Sequence, residues 1–396
     1  MGADMLNFAG SWLTSFGPMN LEQTGPQVHG TYGRDNRVEG RVVGERLEFH
    51  YEEPGEKGTG SFAMPRFGSF SGKYRPDGSH LDGAWTGYRE FDGIWESSFG
   101  RLRLVQEENR IFGRYEGCGS STIEGALVDG KFSFHYKEPK VAGEGWFVID
   151  PTLESFTGEW RPDGAANWAP WIGRRVHAQT DRTWLLVLEA HWQNSIADQE
   201  YSFGRMLTEF FARYNHLSVR HRFFDDEDGL ERWCRELIYF PEPAVVLIAS
   251  HGTPEGINVQ GRIIDSKRVI DSLKYAENLK LLHFSACLVM KENEPGDFAK
   301  RIQNPAPFPI SGYTTSVDWG GSAVIEFNYL DMILGKRIPP ELAAEQLLKL
   351  VQFAGDEVPE GSPYAPAGFR FFSSDGKMKS TYELDPAPQM AEIFLA

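Results

Sequence analysis

The feature that most constrains this 396-residue chain is a duplication in its first half. Gly10-Ser11-Trp12-Leu13-Thr14-Ser15-Phe16-Gly17 returns 83 residues later as Gly93-Ile94-Trp95-Glu96-Ser97-Ser98-Phe99-Gly100, and Gly30-Thr31-Tyr32 returns as Gly113-Arg114-Tyr115. The offset grows through Phe49-His50-Tyr51 against Phe134-His135-Tyr136 and Arg75-Pro76-Asp77-Gly78 against Arg161-Pro162-Asp163-Gly164, as expected if short insertions collect in turns. Trp85-x-Gly87 closes the first copy and Trp171-x-Gly173 the second. Inside each copy apolar residues alternate with polar ones, as in Leu47, Phe49 and Tyr51, and glycine-rich breaks recur about every ten residues. This is the pattern of consecutive antiparallel strands. About eight segments per copy suffice for a small up-and-down barrel that leaves no open sheet edge. The reading is therefore an all-β region of two barrel-like units, 1–91 and 92–178. Their Trp and Phe side chains are expected to fill the interiors, with a ligand-holding barrel as the alternative.

After about Val176 glycine thins out and the texture changes. Apolar runs at Thr183–Leu188, Ala244–Ala249, Lys280–Phe284 and Phe308–Tyr313 read as buried strands. Segments of helical period surround them: Phe203–Tyr214, Leu230–Ile238, Lys267–Leu279, Gly296–Ile302, Ala323–Leu334 and Pro340–Phe353. Strands alternating with helices predict a mostly parallel sheet covered on both faces, an α/β/α sandwich over 182–396.

Composition narrows the function. The net charge of −16 argues against a nucleic-acid partner, since phosphate binding needs clustered Lys and Arg. No run approaches the roughly 20 apolar residues of a membrane span, and the first residues carry Asp4 where a secretory leader would be basic, so no membrane association and a cytoplasmic location are expected. Three cysteines, Cys118, Cys234 and Cys287, are too few and scattered for a disulfide framework or a structural zinc site. Neither a metal nor a cofactor is called for.

Parallel sheets carry their chemistry just past the carboxyl ends of strands. One such end reads Ser250-His251-Gly252-Thr253 and the next Ser285-Ala286-Cys287. On neighbouring strands these place an imidazole beside a thiol, the nucleophile and base of covalent acyl transfer. Gly252 would let a substrate approach the main chain, and the amides of Gly252 and Cys287 are the natural oxyanion donors. Other groups fare worse. Cys118, in Glu116-Gly117-Cys118-Gly119, reads as a surface thiol and Cys234 as packing on an amphipathic helix. Asp225, Asp226, Glu227 and Asp228 suit a helix N-terminus better than a cation site. His191 and His283 read as structural, and Glu189, closing the first strand, is a remote candidate for orienting His251.

His-Gly after one apolar strand and Ala-Cys after the next resemble the caspase-like cysteine peptidases, specifically the CHAT branch, over roughly 182–375. The resemblance implies an endopeptidase with a Cys287–His251 dyad and a protein substrate. It also implies a primary specificity pocket walled by the stretch Ser311 to Trp319, with Asp318, Ser285 and Trp319 as lining residues. Caspases select aspartate with a basic residue in this stretch; here Thr314 to Ser322 holds none, and Asp318 would select Arg or Lys, unless it serves only to cap the following helix. The chain departs from the family pattern with Ser285 before the cysteine and Leu288-Val289-Met290 after it. The β-repeats resemble avidin-like or lipocalin-like meanders. By analogy with CHAT proteins they would serve as a sensor that binds an activating partner, a substrate or a small-molecule signal, in bacterial defence signalling. The alternative is a non-catalytic binding protein that keeps a degenerate caspase-like domain.

Overall fold

A computed structural model describes residues 6–34, 36–66, 68–116, 121–179, 181–193, 195–274, 276–291, 298–302, 308–373 and 378–379. Cys118 and the start of the helix expected at Gly296 lie outside the described residues. The chain divides into two compact units, Met1–His177 and Ala178–Ala396.

The first unit is two closed antiparallel eight-stranded barrels. One comprises β1 (Gly10–Thr14), β2 (Gly17–Thr24), β3 (Gln27–Tyr32), β4 (Asn36–Val43), β5 (Arg46–Glu53), β6 (Glu56–Arg66), β7 (Ser69–Pro76) and β8 (Gly83–Arg89). The other comprises β9 (Gly93–Ser97), β10 (Gly100–Glu107), β11 (Arg110–Tyr115), β12 (Thr122–Val128), β13 (Lys131–Lys137), β14 (Ala142–Ile149), β15 (Ser155–Pro162) and β16 (Ala169–Arg175). Closure comes from β1 pairing with β8 and β9 with β16. Strict alternation drives it: in β13 Phe132, Phe134 and Tyr136 point inward while Lys131, Ser133, His135 and Lys137 face water. Tight hairpins fix the register, as at Asp129-Gly130, where both residues take the positive φ that a two-residue turn of matching twist requires.

Aromatic rings fill the interiors. Trp85 meets Tyr32, Phe62 and Phe49 at 4.8, 5.3 and 5.6 Å, and Trp171 meets Tyr115, Phe147 and Phe134 at 5.3, 5.2 and 5.9 Å. The duplication extends to the polar bonds that close one end of each barrel. Trp12 Nε1 donates to Phe8 O as Trp95 Nε1 does to Phe91 O. Arg89 lies over the Trp12 ring and donates to the Asn7 and Ala9 carbonyls, and Arg175 lies over Trp95 and donates to the equivalent Glu90 and Asp92 carbonyls. A buried guanidinium needs such acceptors, and burial pushes the Arg175 group down to about 10.

The second unit is built on a seven-stranded mixed sheet. β17 (Thr183–Ala190) pairs in parallel with β18 (Leu217–Phe224) on one side and β19 (Ala244–Ala249) on the other. A small antiparallel sheet follows: β20 (His251–Thr253), β21 (Gly256–Val259) and β22 (Arg262–Asp265). The main sheet then continues with parallel β23 (Leu279–Ser285) and β24 (Ile310–Tyr313), and ends with antiparallel β25 (Phe369–Phe372) and β26 (Met378–Lys379). The helices are α1 (Phe203–Phe211), α2 (Glu227–Glu236), α3 (Ser266–Leu273), α4 (Phe298–Arg301), α5 (Trp319–Leu330) and α6 (Pro340–Leu350). Two separate cores show that both faces are covered: α2, α3 and α4 pack on one side, α1, α5 and α6 on the other. No helix among the described residues is long and apolar enough to cross a membrane.

Three sequence expectations need correction. The helix expected to reach Leu279 stops at Leu273, because Leu279 is already the first residue of β23. β18 was not expected, since Arg220, His221 and Arg222 interrupt its apolar run; it is the sheet's edge, where Arg220 lies over the Trp184 ring and Arg222 over Trp233. β25 was not expected either, being four residues long and running opposite to its neighbours.

Candidate active site

β17 starts the sheet, β18 extends it one way and β19 the other, so the chain reverses its winding between β17 and β19, the place where open parallel sheets commonly carry their sites. Three loops converge there. The first follows Glu189 on β17. The second is Ser250–His251 after β19. The third is Ala286–Cys287 after β23, and the Ser250 amide joins the last two by donating to the Ser285 carbonyl at 3.2 Å.

The main chains of Gly252 and Cys287 touch. A Cβ on Gly252 would stand 2.1 Å from the Cys287 carbonyl oxygen and 2.9 Å from its amide nitrogen, so only glycine fits. This contact sets the residue after His251 against Cys287, past the ends of the neighbouring strands β19 and β23. Cys287 is a free, partly exposed thiol. Its Sγ accepts from the Val317 amide at 3.4 Å and lies 3.7 Å from the Val317 carbonyl. Leu288, with a φ of 65°, turns the chain sharply after the thiol, and its amide bonds to the Thr315 carbonyl while that of Met290 bonds to Tyr313. The loop from Thr314 to Val317 is thus strapped to the loop that carries Cys287. Below it, Tyr313 Oη donates to Glu326 at 3.0 Å and His283 Nδ1 meets Ser311 Oγ at 2.8 Å. These four buried side chains tie β23, β24 and α5 together. His283 is wholly buried within this set. Burial, then the Glu326 charge, raises Tyr313 well above its ordinary pKa.

Asp318 caps α5: its carboxylate accepts from the Gly321 amide at 2.9 Å, and the residue is exposed one position beyond Val317. Capping and a place beside the thiol loop therefore coincide. Trp319 is exposed as well, whereas Ser285 is buried at the end of β23. Cys234 is fully buried and its thiol is pushed up to about 12 by desolvation, so it is inert packing. Asp226 caps α2, and His191 stacks on Phe223 at 4.5 Å.

Glu189 does not play the direct part the sequence suggested. Wholly buried, it accepts from Trp192 Nε1 (2.6 Å), Ser202 Oγ (2.5 Å) and the amides of Phe203 (2.8 Å) and Gly204 (3.1 Å), and lies 2.7 Å from His221 Nε2. Burial works to raise its pKa, but the contacts from His221, Ser202 and Trp192 prevail and hold it below the ordinary carboxylate range. What reaches His251 is Trp192, a residue the sequence reading passed over, whose ring stands edge to face with the imidazole at 5.0 Å and 81°. Trp192 also meets Trp319 at 4.9 Å, and Trp319 meets Tyr201 at 4.9 Å. Its signal was its place, two residues past the end of β17, the same rule that selected His251.

No protein-family model and no curated protein matches the chain. Among solved structures it is similar to a double mutant of the vaccine antigen transferrin binding protein B from Haemophilus parasuis Hp5, at 12% identity and a TM-score of 0.17 over 42% of this chain and 44% of that one. An intact transferrin binding protein B, with N and C lobes, is similar at 12% identity and a TM-score of 0.16 over 42% and 45% of the two chains. The chain thus aligns with under half the length of these proteins.

Proposed function

We propose that the second unit is a caspase-like cysteine peptidase of the CHAT type, with Cys287 as nucleophile and His251 as base. The observation that carries this reading is the contact between the Gly252 and Cys287 main chains, with His251 one residue away and a partly exposed thiol, past the carboxyl ends of neighbouring parallel strands. In the proposed reaction His251 takes the Cys287 proton and the thiolate attacks the scissile carbonyl, while the Gly252 and Cys287 amides receive the oxyanion. The imidazolium then protonates the leaving amine, water hydrolyses the thioester, and the thiol and neutral imidazole are restored. Asp318, exposed next to Val317, favours a substrate with Arg or Lys before the scissile bond. The β-barrels would recruit the activating partner or signal on their outer faces, their interiors being filled. An open trough of about 890 Å³ on the first barrel, lined among others by Glu39, Arg41, Glu48, His50, Lys73 and Arg75, supports a polar partner there.

Iodoacetamide labelling of the native protein tests the dyad. Cys287 should alkylate far faster than Cys234, and His251→Ala should slow it. Equally slow labelling of Cys287, Cys118 and Cys234 would favour a degenerate, non-catalytic domain.

A further inference from the structure

His251 opens a three-residue strand and is exposed, a poor setting for a base whose ring must face one atom. Unrestrained, such a side chain samples several staggered rotamers. A general base is usually held by a carboxylate or carbonyl on its second ring nitrogen, and a buried carboxylate, Glu189, sits on β17 in register with Ala249 of β19, two residues before His251. It spends its oxygens elsewhere. One of them, however, fixes the indole N–H of Trp192, and the indole reaches the imidazole. Trp192 is rigid in its own right: two χ angles, one anchored N–H, and further packing on Trp319.

Resting on the dyad reading above, we infer that Trp192, locked by Glu189, is the positioning residue of His251, substituting an aromatic edge-to-face contact for the usual third polar group. Glu189 acts one step further back. Its bonds to Ser202 and to the amides at the start of α1 fix the carboxylate, the carboxylate fixes the indole, and the indole limits the rotamers open to the imidazole.

The pH profile of Cys287 alkylation by iodoacetamide in the full chain, from about pH 5 to about pH 9, separates positioning from packing. In the wild type, the faster arm on the low-pH side of the profile reports activation of the thiol by His251, and His251→Ala should abolish it. Trp192→Ala, which removes the ring, and Trp192→Leu, which keeps apolar bulk, should lower that arm by roughly three- to thirtyfold, the size of one aromatic contact plus a lost rotamer restriction. The alkaline plateau, where solvent alone sets the thiolate, should not move. Trp192→Phe, which keeps a ring, should recover most of the loss. The inference is overturned if both Trp192→Ala and Trp192→Leu keep the wild-type arm while His251→Ala removes it, or if they slow alkylation equally at every pH, as a packing defect would. An arm that survives His251→Ala overturns the dyad itself, and the role of Trp192 with it.

Discussion

Gly252→Ala is the smallest change that probes the heart of the site. An added methyl would stand 2.1 Å from the Cys287 carbonyl oxygen and 3.0 Å from its carbonyl carbon, and both atoms are main chain, so no rotamer change relieves the overlap. Ordinary contact between such atoms is about 3.4 Å, so the start of β20 and the Cys287 loop must separate by roughly 1 Å. That shift is resisted on both sides, by the Ser250–Ser285 bond and by the straps from Leu288 and Met290 to the opposite loop. Overpacking of this kind costs about 1–3 kcal/mol. For a domain of this size each kcal/mol lowers Tm by about 2–4 °C, giving a fall of roughly 2–12 °C. A misplacement of about 1 Å between base and nucleophile costs on the order of 100-fold in rate. Calorimetry and the neutral-pH alkylation rate of Cys287 measure the two effects. A Gly252→Ala protein with wild-type Tm and wild-type thiol reactivity would refute the claim that these main chains touch.

Other outcomes follow from the same geometry. Asp318→Asn keeps the helix cap, because Asn caps as well as Asp, but removes the charge; a positional-scanning peptide library should show a preference for Arg or Lys that collapses in this variant, and a preference for an apolar or acidic residue in the wild type would exclude the pocket role. Glu189 has a folded pKa below its unfolded value, so its stabilisation is complete above about pH 4.5 and fades as pH falls through the lower folded value. The Tm difference between wild type and Glu189→Gln should therefore be greatest near neutrality and shrink in acid, and a difference constant down to about pH 3 would contradict the contact set described for this carboxylate. Residues 1–177, whose barrels close their own hydrogen bonding, should fold alone and unfold cooperatively by circular dichroism; an aggregated fragment would mean that they need the rest of the chain.

How much of this was legible in the sequence depended on what each residue's signal was made of. The barrels were readable because burial on one face imposes a period of two on every strand, and duplication repeats it. β17, β19, β23 and β24 were readable because strands buried on both faces are continuous apolar runs. β18 hid its pattern, since an edge strand can expose Arg220 and Arg222, whose charges extend over tryptophans. His251, Gly252 and Cys287 could be picked from the rule that sites follow strand ends. The roles of Glu189 and Trp192 could not, because they depend on which loop folds over which. Asp318 showed both of its possible uses in sequence, and the fold makes them compatible.

The central claim, that Cys287 and His251 form a working peptidase dyad, is tested most directly by mapping new protein termini in cells that express the full chain. The account predicts termini that appear with the wild type and vanish with Cys287→Ala and with His251→Ala, the double variant being no worse than either single because the two residues act as one unit. The same termini generated by the Cys287→Ala protein would contradict it.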